Sequence, residues 1–387
     1  EMDRSRSLRD ILQQVATATI DSPVLKDILS ANILSEWQPH SGGTVNESVL
    51  TFAHHVLFDY AVARLLLRDV TQPVRFLEDD PELIIAIRPS LVMHFEHVRS
   101  QDLSQFWELV FSLTGSQTIP EIGKLIGPSV AVESATKVEE FSGLIRALTL
   151  TDLSQREYAE KAFRHVTGAL TVKATTAPQF IVGPAALNWG ELLNLCTAAP
   201  RAPTVYSSRP VLHLICDHPE KLTESQRLSA GTVARRLLDY ALTQPNRDTG
   251  LVTSGLETVC RTYESNPDAS GAILRRCLER DHVLQYGHEE LSRLANEVGR
   301  LASIDPAIVE EIYLAAFTLM DNSEEKTDMG ISRILAMTST RRQDFQMARY
   351  KLASEYNTFL NQSSIHALRA LIAAISGYPE DRHSYWH

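Results

Sequence analysis

Cysteine is scarce in this sequence: Cys196, Cys216, Cys260 and Cys277 are the four among 387 residues, and no two stand in CxxC spacing. A disulfide framework or a zinc ribbon needs closer, paired cysteines, so buried and reduced thiols in a cytoplasmic protein are expected. Long apolar runs are missing too. Leu65–Leu67 and Leu83–Ile87 are among the longest, and charge interrupts them far short of the roughly 20 residues that cross a bilayer. No membrane partner is expected. Neither a signal-peptide core nor an amphipathic transit pattern opens the chain, which starts Glu1-Met2 and reads as a piece of a longer polypeptide. Basic charge is also in deficit. Lys and Arg number 37 against 48 Asp and Glu, and the net charge of -11 repels phosphate backbones, which argues against a nucleic-acid partner.

The common catalytic signatures are lacking as well. No GxxxxGK[ST] loop is present, since Gly123-Lys124 is followed by Leu125 and has no upstream glycine at the required spacing. His288-Glu289-Glu290 continues into Leu291-Ser292 and supplies no second histidine one turn on, and no EF-hand loop or GxSxG elbow occurs. Two groups have metal-ligand character. His94 and His97 stand one helical turn apart, and His213, Cys216, Asp217 and His218 crowd within six residues. The first has no third ligand nearby, and the second lies in an apolar helix before Pro219. Neither is assigned a metal, and no catalytic residue and no cofactor of the chain itself is expected.

What the sequence does have is helical periodicity. Apolar residues make up 44%, ample for a packed fold, and 387 residues exceed what one hydrophobic core usually serves. Phe52, Val56, Tyr60, Ala63 and Leu67 recur at steps of three and four, which predicts one helix face. Leu291, Leu294, Val298 and Leu301 do the same, as do Phe345, Ala348, Leu352, Tyr356 and Phe359. Asp80-Pro81 and Asp305-Pro306 read as helix starts, with an N-cap carboxylate before a proline, and Thr223 with Gln226 reads as a capping box. Breaks are expected near 39–43, 115–120, 175–184, 198–208, 244–250 and 322–330. No repeat motif is self-similar. Helix pairs of about 35 to 50 residues in succession nevertheless predict an irregular HEAT- or armadillo-like α-solenoid over 71–375, with a polar tail at 376–387.

The start of the chain reads differently. Helices are expected over 7–20 and 23–33, then a strand at Leu34–Trp37, a turn through Ser41-Gly42-Gly43, and a returning strand ending at Phe52. Helix, helix, strand, hairpin, strand is the order of a winged helix, here over 1–70. The stretch Pro23–Leu29 carries one base and no arginine, which argues against DNA reading. Weaker strand signals sit at 170–174 and 179–182.

Phe52-Ala53-His54-His55-Val56-Leu57-Phe58-Asp59-Tyr60-Ala61-Val62-Ala63-Arg64 resembles the end of the winged-helix domain of STAND NTPases, the NACHT-like signalling ATPases. Phe52, His54, Asp59, Tyr60 and Ala63 fill that family's pattern. The resemblance implies a chain whose ATPase core lies elsewhere, with ADP or ATP bound there, and a role for His54 in touching the ADP phosphates in the closed state. An imidazole N–H can donate to a phosphate oxygen. The alternative for His54 is a structural histidine packed under the wing. Glu78-Asp79-Asp80-Pro81 with Arg88-Pro89, and Arg333-Ile334-Leu335 with Arg341-Arg342-Gln343-Asp344, resemble the helical C-terminal regions of large bacterial STAND ATPases, several of which act in antiphage defence. The expected function is then the regulatory, ligand-sensing portion of such an ATPase, with a protein ligand on the helical region. A free-standing HEAT-like scaffold is the alternative.

Overall fold

The computed structural model describes residues 27, 29–37, 49–68, 71–244, 248–279, 294 and 297–312, and these are mostly α-helical. The chain divides into two compact units, Glu1–Val130 and Ala131–His387.

In the first unit, β1 (Leu34–Trp37) pairs antiparallel with β2 (Val49–Phe52), Leu34 opposite Phe52 and Trp37 opposite Val49. These are the two strands that the sequence predicts, and the turn expected between them lies outside the described residues. Most of the two helices expected before it lies outside the described residues, although 27, 29 and 30 are helical. Next come α1 (His55–Ala61) and a π-helical turn over Val62–Leu66, closed by the bond from Leu67 N to Val62 O. Here the expected face fails. Phe52 belongs to the strand, Val56 and Tyr60 are 62% and 57% exposed, and Val62, Ala63 and Leu67 are buried. A π turn spends an extra residue, so residues on either side of it lose the common 3.6-residue phase.

The unit continues with α2 (Gln72–Asp79), α3 (Leu83–Ala86), α4 (Arg88–Gln101), α5 (Leu103–Gly115) and α6 (Glu121–Lys124). Helix α7 (Ile126–Ser134) spans the division between the units. Asp102 separates α4 from α5, its Oδ1 accepting from Ser104 N at 2.7 Å and Gln105 N at 3.2 Å. Asp80 departs from expectation. It ends α2 and accepts from Glu82 N at 3.3 Å, so Asp80-Pro81 shapes a turn and α3 starts two residues later. Phe95, Phe106 and Trp107 are fully buried, with Phe95 edge-on to Phe106 at 5.8 Å and Phe106 edge-on to Trp107 at 5.3 Å. At Gly127 a β-carbon would stand 2.7 Å from the Phe95 ring and 2.8 Å from Val110, so only glycine lets this turn approach α4 and α5.

The second unit is more regular. Its helices are α8 (Ser142–Leu148), α9 (Leu153–Thr176), α10 (Trp189–Cys196), α11 (Ala202–Cys216), α12 (Glu224–Thr243), α13 (Thr249–Arg261) and α14 (Pro267–Arg276). Helix α11 packs on α9 and α13, and α12 packs on α10, α13 and α14. Each helix thus lies against the next but one along the chain, the packing of an α-solenoid-like fold. The Thr223–Gln226 capping box forms, with bonds of 3.1 and 3.3 Å. Asp305 caps the helical residues 306–312 by accepting from Ile308 N at 3.1 Å, and Leu294, Val298 and Leu301 are buried as the periodicity predicts. Two expectations give way. Residues 170–174 are not a strand but the interior of α9, where Leu170 and Ala174 continue its buried face, and 178–180 form a 3-10 turn. The break at 198–208 closes early because α11 starts at Ala202. Pro203 sits in its first turn, where a missing N–H leaves no bond unmade. The stripe from Phe345 to Phe359 lies outside the described residues.

Candidate functional site

The motif that singles out His54 separates in the structure into residues that hold the local fold and residues that face solvent. Phe52, the last residue of β2, meets Phe58 of α1 edge-on at 5.8 Å. Asp59 accepts from Ser90 Oγ at 2.8 Å and so ties α1 to the first turn of α4, where Ser90 is fully buried. Ala63 is buried in the π turn. Tyr60 is exposed, and so is His54.

His54 is the N-cap of α1. Its backbone is extended, at φ -134° and ψ 138°, and its carbonyl accepts from Leu57 N at 3.0 Å and Phe58 N at 3.3 Å. The imidazole makes no capping bond. Serine, threonine, aspartate or asparagine would satisfy the first turn from that position, and their replacement by a non-capping residue typically costs about 1 kcal/mol. His55, one residue on, is also exposed. Arg64 of the π turn donates to Nε2 of His97 on α4.

That contact bears on the first metal candidate. His97 has its Nε2 lone pair engaged by Arg64, while His94 is buried. The second candidate also comes apart. Cys216 turns into the core, where burial pushes its thiol up to about 12, against a smaller opposing effect of Arg261. His213 instead faces acid, with Nδ1 3.4 Å from Asp217 Oδ1 and Nε2 3.3 Å from Glu257 Oε2. Arg261 closes this cluster. It donates to Asp217 and Glu257 and, at 3.3 Å, to the Cys216 carbonyl. Burial lowers the Arg261 pKa, and the Asp217 hydrogen bond with the Glu257 and Asp217 charges more than reverses that. His218 lies apart, 3.7 Å from Glu220. Among the described residues no group of three or more His, Cys, Asp or Glu is arranged to hold a metal. Burial likewise raises the thiols of Cys196 and Cys260, and all four cysteines are buried and outside any disulfide, which suits packing.

The residues that sequence reasoning missed are arginines. In the second unit Arg201 reaches Glu160 at 2.6 Å and the Leu148 carbonyl at 2.9 Å, and Arg227 reaches Glu264 at 3.2 Å. Arg275 grips Glu311 with Nε and Nη2 at 2.6 and 2.8 Å, and Arg276 pairs with Asp239. Arg235 and Arg236 differ from these, because they bind neutral oxygens. The visible signal was the consecutive pair itself in a helical segment, which says nothing of what each one touches. No helix among the described residues is long and apolar enough to cross a membrane. No protein-family model matches the chain, and no curated protein is significantly similar to it.

Proposed function

We propose that this chain is the regulatory and ligand-sensing portion of a STAND-type signalling ATPase. In this reading His54 contacts bound ADP when the protein is closed, and the helical second unit presents a surface to a protein ligand. One observation supports the reading above others. Phe52, Asp59 and Ala63 of the motif are consumed by local packing, while the His54 imidazole stands free of any capping bond at a position where a better cap was available. A second reading, a free-standing helical scaffold with no nucleotide link, draws on the solenoid-like succession of α9 to α14.

The test uses a polypeptide that carries both this chain and an ATPase core. A hydrogen bond to a charged group contributes roughly 1.5 to 3 kcal/mol, so His54→Ala shifts the closed-to-open balance by about tenfold to a hundredfold. ADP retention falls and output rises without the trigger, as a change in populations and not in chemistry. His55→Ala, pointing about 100° around the helix, changes little. Equal ADP retention in the two variants, with the fold intact, leaves the scaffold reading in place.

A further inference from the structure

Arg235 and Arg236 lie side by side on α12, both half-buried, and neither meets a carboxylate among the described residues. Arg235 donates through Nη1 to Ser270 Oγ at 3.2 Å and Ser265 Oγ at 3.4 Å, and through Nη2 to Thr232 Oγ1 at 3.2 Å. Arg236 turns the other way, toward α10, and uses Nη1 alone, on the Asn194 carbonyl at 2.7 Å and Thr197 Oγ1 at 3.2 Å. Its Nε and Nη2 make no hydrogen bond to the described residues and are not enclosed. That is the edge with which Arg275 holds Glu311 bidentate.

This is an unusual place to leave a positive charge bare. Acidic residues outnumber basic ones by 48 to 37. Asp239, four residues after Arg235 and three after Arg236, is the natural i,i+3 or i,i+4 partner on the same helix. It is drawn away instead to Arg276 of α14. Burial pulls both guanidinium groups below their ordinary pKa, so holding them here without a counter-charge is unfavourable. An apolar residue would pack the same helices at less cost. Arg236 is also pre-organised, because its far nitrogen is anchored on two oxygens and its forked edge has little rotamer freedom left to lose.

We propose that Arg236, assisted by Arg235, is the docking point on α12 for an acidic segment of a protein partner, one carboxylate of which the Nε and Nη2 edge of Arg236 grips bidentate. The chain's net charge of -11 opposes any general attraction for such a segment, so recognition is local to this pair. The proposal rests on the ligand-binding half of the functional reading and not on its nucleotide half. It is read on this chain alone, whereas His54 is read by ADP retention, so the two fail separately.

The experiment titrates the full chain into fluorescein-labelled hexaglutamate and follows anisotropy at low salt, with hexalysine and a short oligothymidylate in parallel. Saturable hexaglutamate binding is expected. Arg236→Gln weakens it at least tenfold, and Arg235→Gln weakens it less. Arg236→Lys, which keeps the charge and loses the fork, falls between wild type and Arg236→Gln. Arg227→Gln, an equal loss of charge on the same helix, stays within about twofold of wild type. Thermal melts check each fold, and if Arg236→Gln does not fold, Arg236→Lys and Arg235→Gln carry the comparison. No saturable hexaglutamate binding overturns the proposal, as does binding that Arg236→Lys and Arg235→Gln leave unchanged. Tighter binding of the oligothymidylate than of hexaglutamate overturns it in favour of a nucleic-acid surface.

Discussion

In the first unit, rings fill the space between α4 and α5. Phe95, Phe106, Trp107 and Phe111 form one run, with Trp107 stacked on Phe111 at 5.9 Å. The polar links there include Ser90 to Asp59, Ser116 Oγ to Glu78 Oε1 at 2.7 Å, and Arg64 to His97. In the second unit arginines make many of the links between helices, beside contacts such as Ser229 Oγ to Asn188 Oδ1 at 2.8 Å and Tyr263 to Asp305 at 2.6 Å. Arg201, Arg227, Arg236, Arg261, Arg275 and Arg276 each reach a residue 36 to 44 positions away. Apolar contact has no preferred direction, so short and irregular elements such as α3 and α6 can satisfy it. A guanidinium link is directional and demands register, which long helices at a regular spacing provide. That near-constant reach is the repeat that the sequence itself does not display.

The comparison can be broken first at its rings. Trp189 is fully buried in the second unit, lies 5.6 Å from Phe180 and 6.0 Å from Phe141, and donates Nε1 to the Phe180 carbonyl at 3.0 Å. Trp189→Ala and Trp107→Ala should each cost about 3 to 5 kcal/mol in urea denaturation. Losses below about 1 kcal/mol for Trp189→Ala would mean that the arginine links alone hold the second unit. Next in size is Arg261→Gln, which leaves Glu257 and Asp217 without their cation. A loss of about 1.5 to 3 kcal/mol is expected, and high salt should reduce it. Trp107→Ala should be nearly indifferent to salt.

Gly127→Ala tests the close approach in the first unit. The added carbon meets the Phe95 ring, and overpacking of this kind costs about 1 to 3 kcal/mol. Gly168→Ala is its control, since no side chain or neighbouring element lies within 4 Å of a β-carbon there, in the middle of α9. It should raise stability by about 0.4 to 1 kcal/mol. The smallest effect belongs to Glu311. Its hydrogen bonds to Arg275 outweigh a smaller desolvation effect and hold its carboxyl below the usual glutamate value. A depressed carboxylate contributes stability above its unfolded pKa and loses it as pH falls through the folded one. Glu311→Gln should therefore cost about 0.2 to 1 kcal/mol at neutral pH, and nothing once the pH falls below the depressed folded pKa of Glu311. A cost that persists there would assign Glu311 a packing role.

Features written within one helical turn were legible in the sequence. The Thr223–Gln226 box and the Asp305-Pro306 start depend on bonds three residues long, and the paired strands at 34–37 and 49–52 on two short runs. The stripe from Phe52 to Leu67 misled because a strand end and a π turn interrupt a pattern that counting treats as continuous. Asp80-Pro81 misled because the same dipeptide also opens a plain turn. His54 stands out in the sequence only through resemblance, and what the structure gives of it is its exposure and its missing cap. Arg235 and Arg236 were invisible as a site because what distinguishes them is the identity of partners 30 to 42 residues away, together with the diversion of Asp239 to Arg276.

The reach of 36 to 44 residues also sets a timetable for synthesis. Chains leave the ribosome at about 5 to 20 residues per second, so a helix of the second unit waits roughly 2 to 9 s before the residues that lock it have been made. Each helix then closes onto material already in place and needs nothing from the distant end of the chain. Contacts of such short range favour rapid growth from any nucleus, in the manner of a zipper. Slowing translation within α12 should lengthen the time that the apolar face of α10 stays uncovered, and pulse-labelled nascent chains arrested there should be more readily cut by protease than chains arrested after α14.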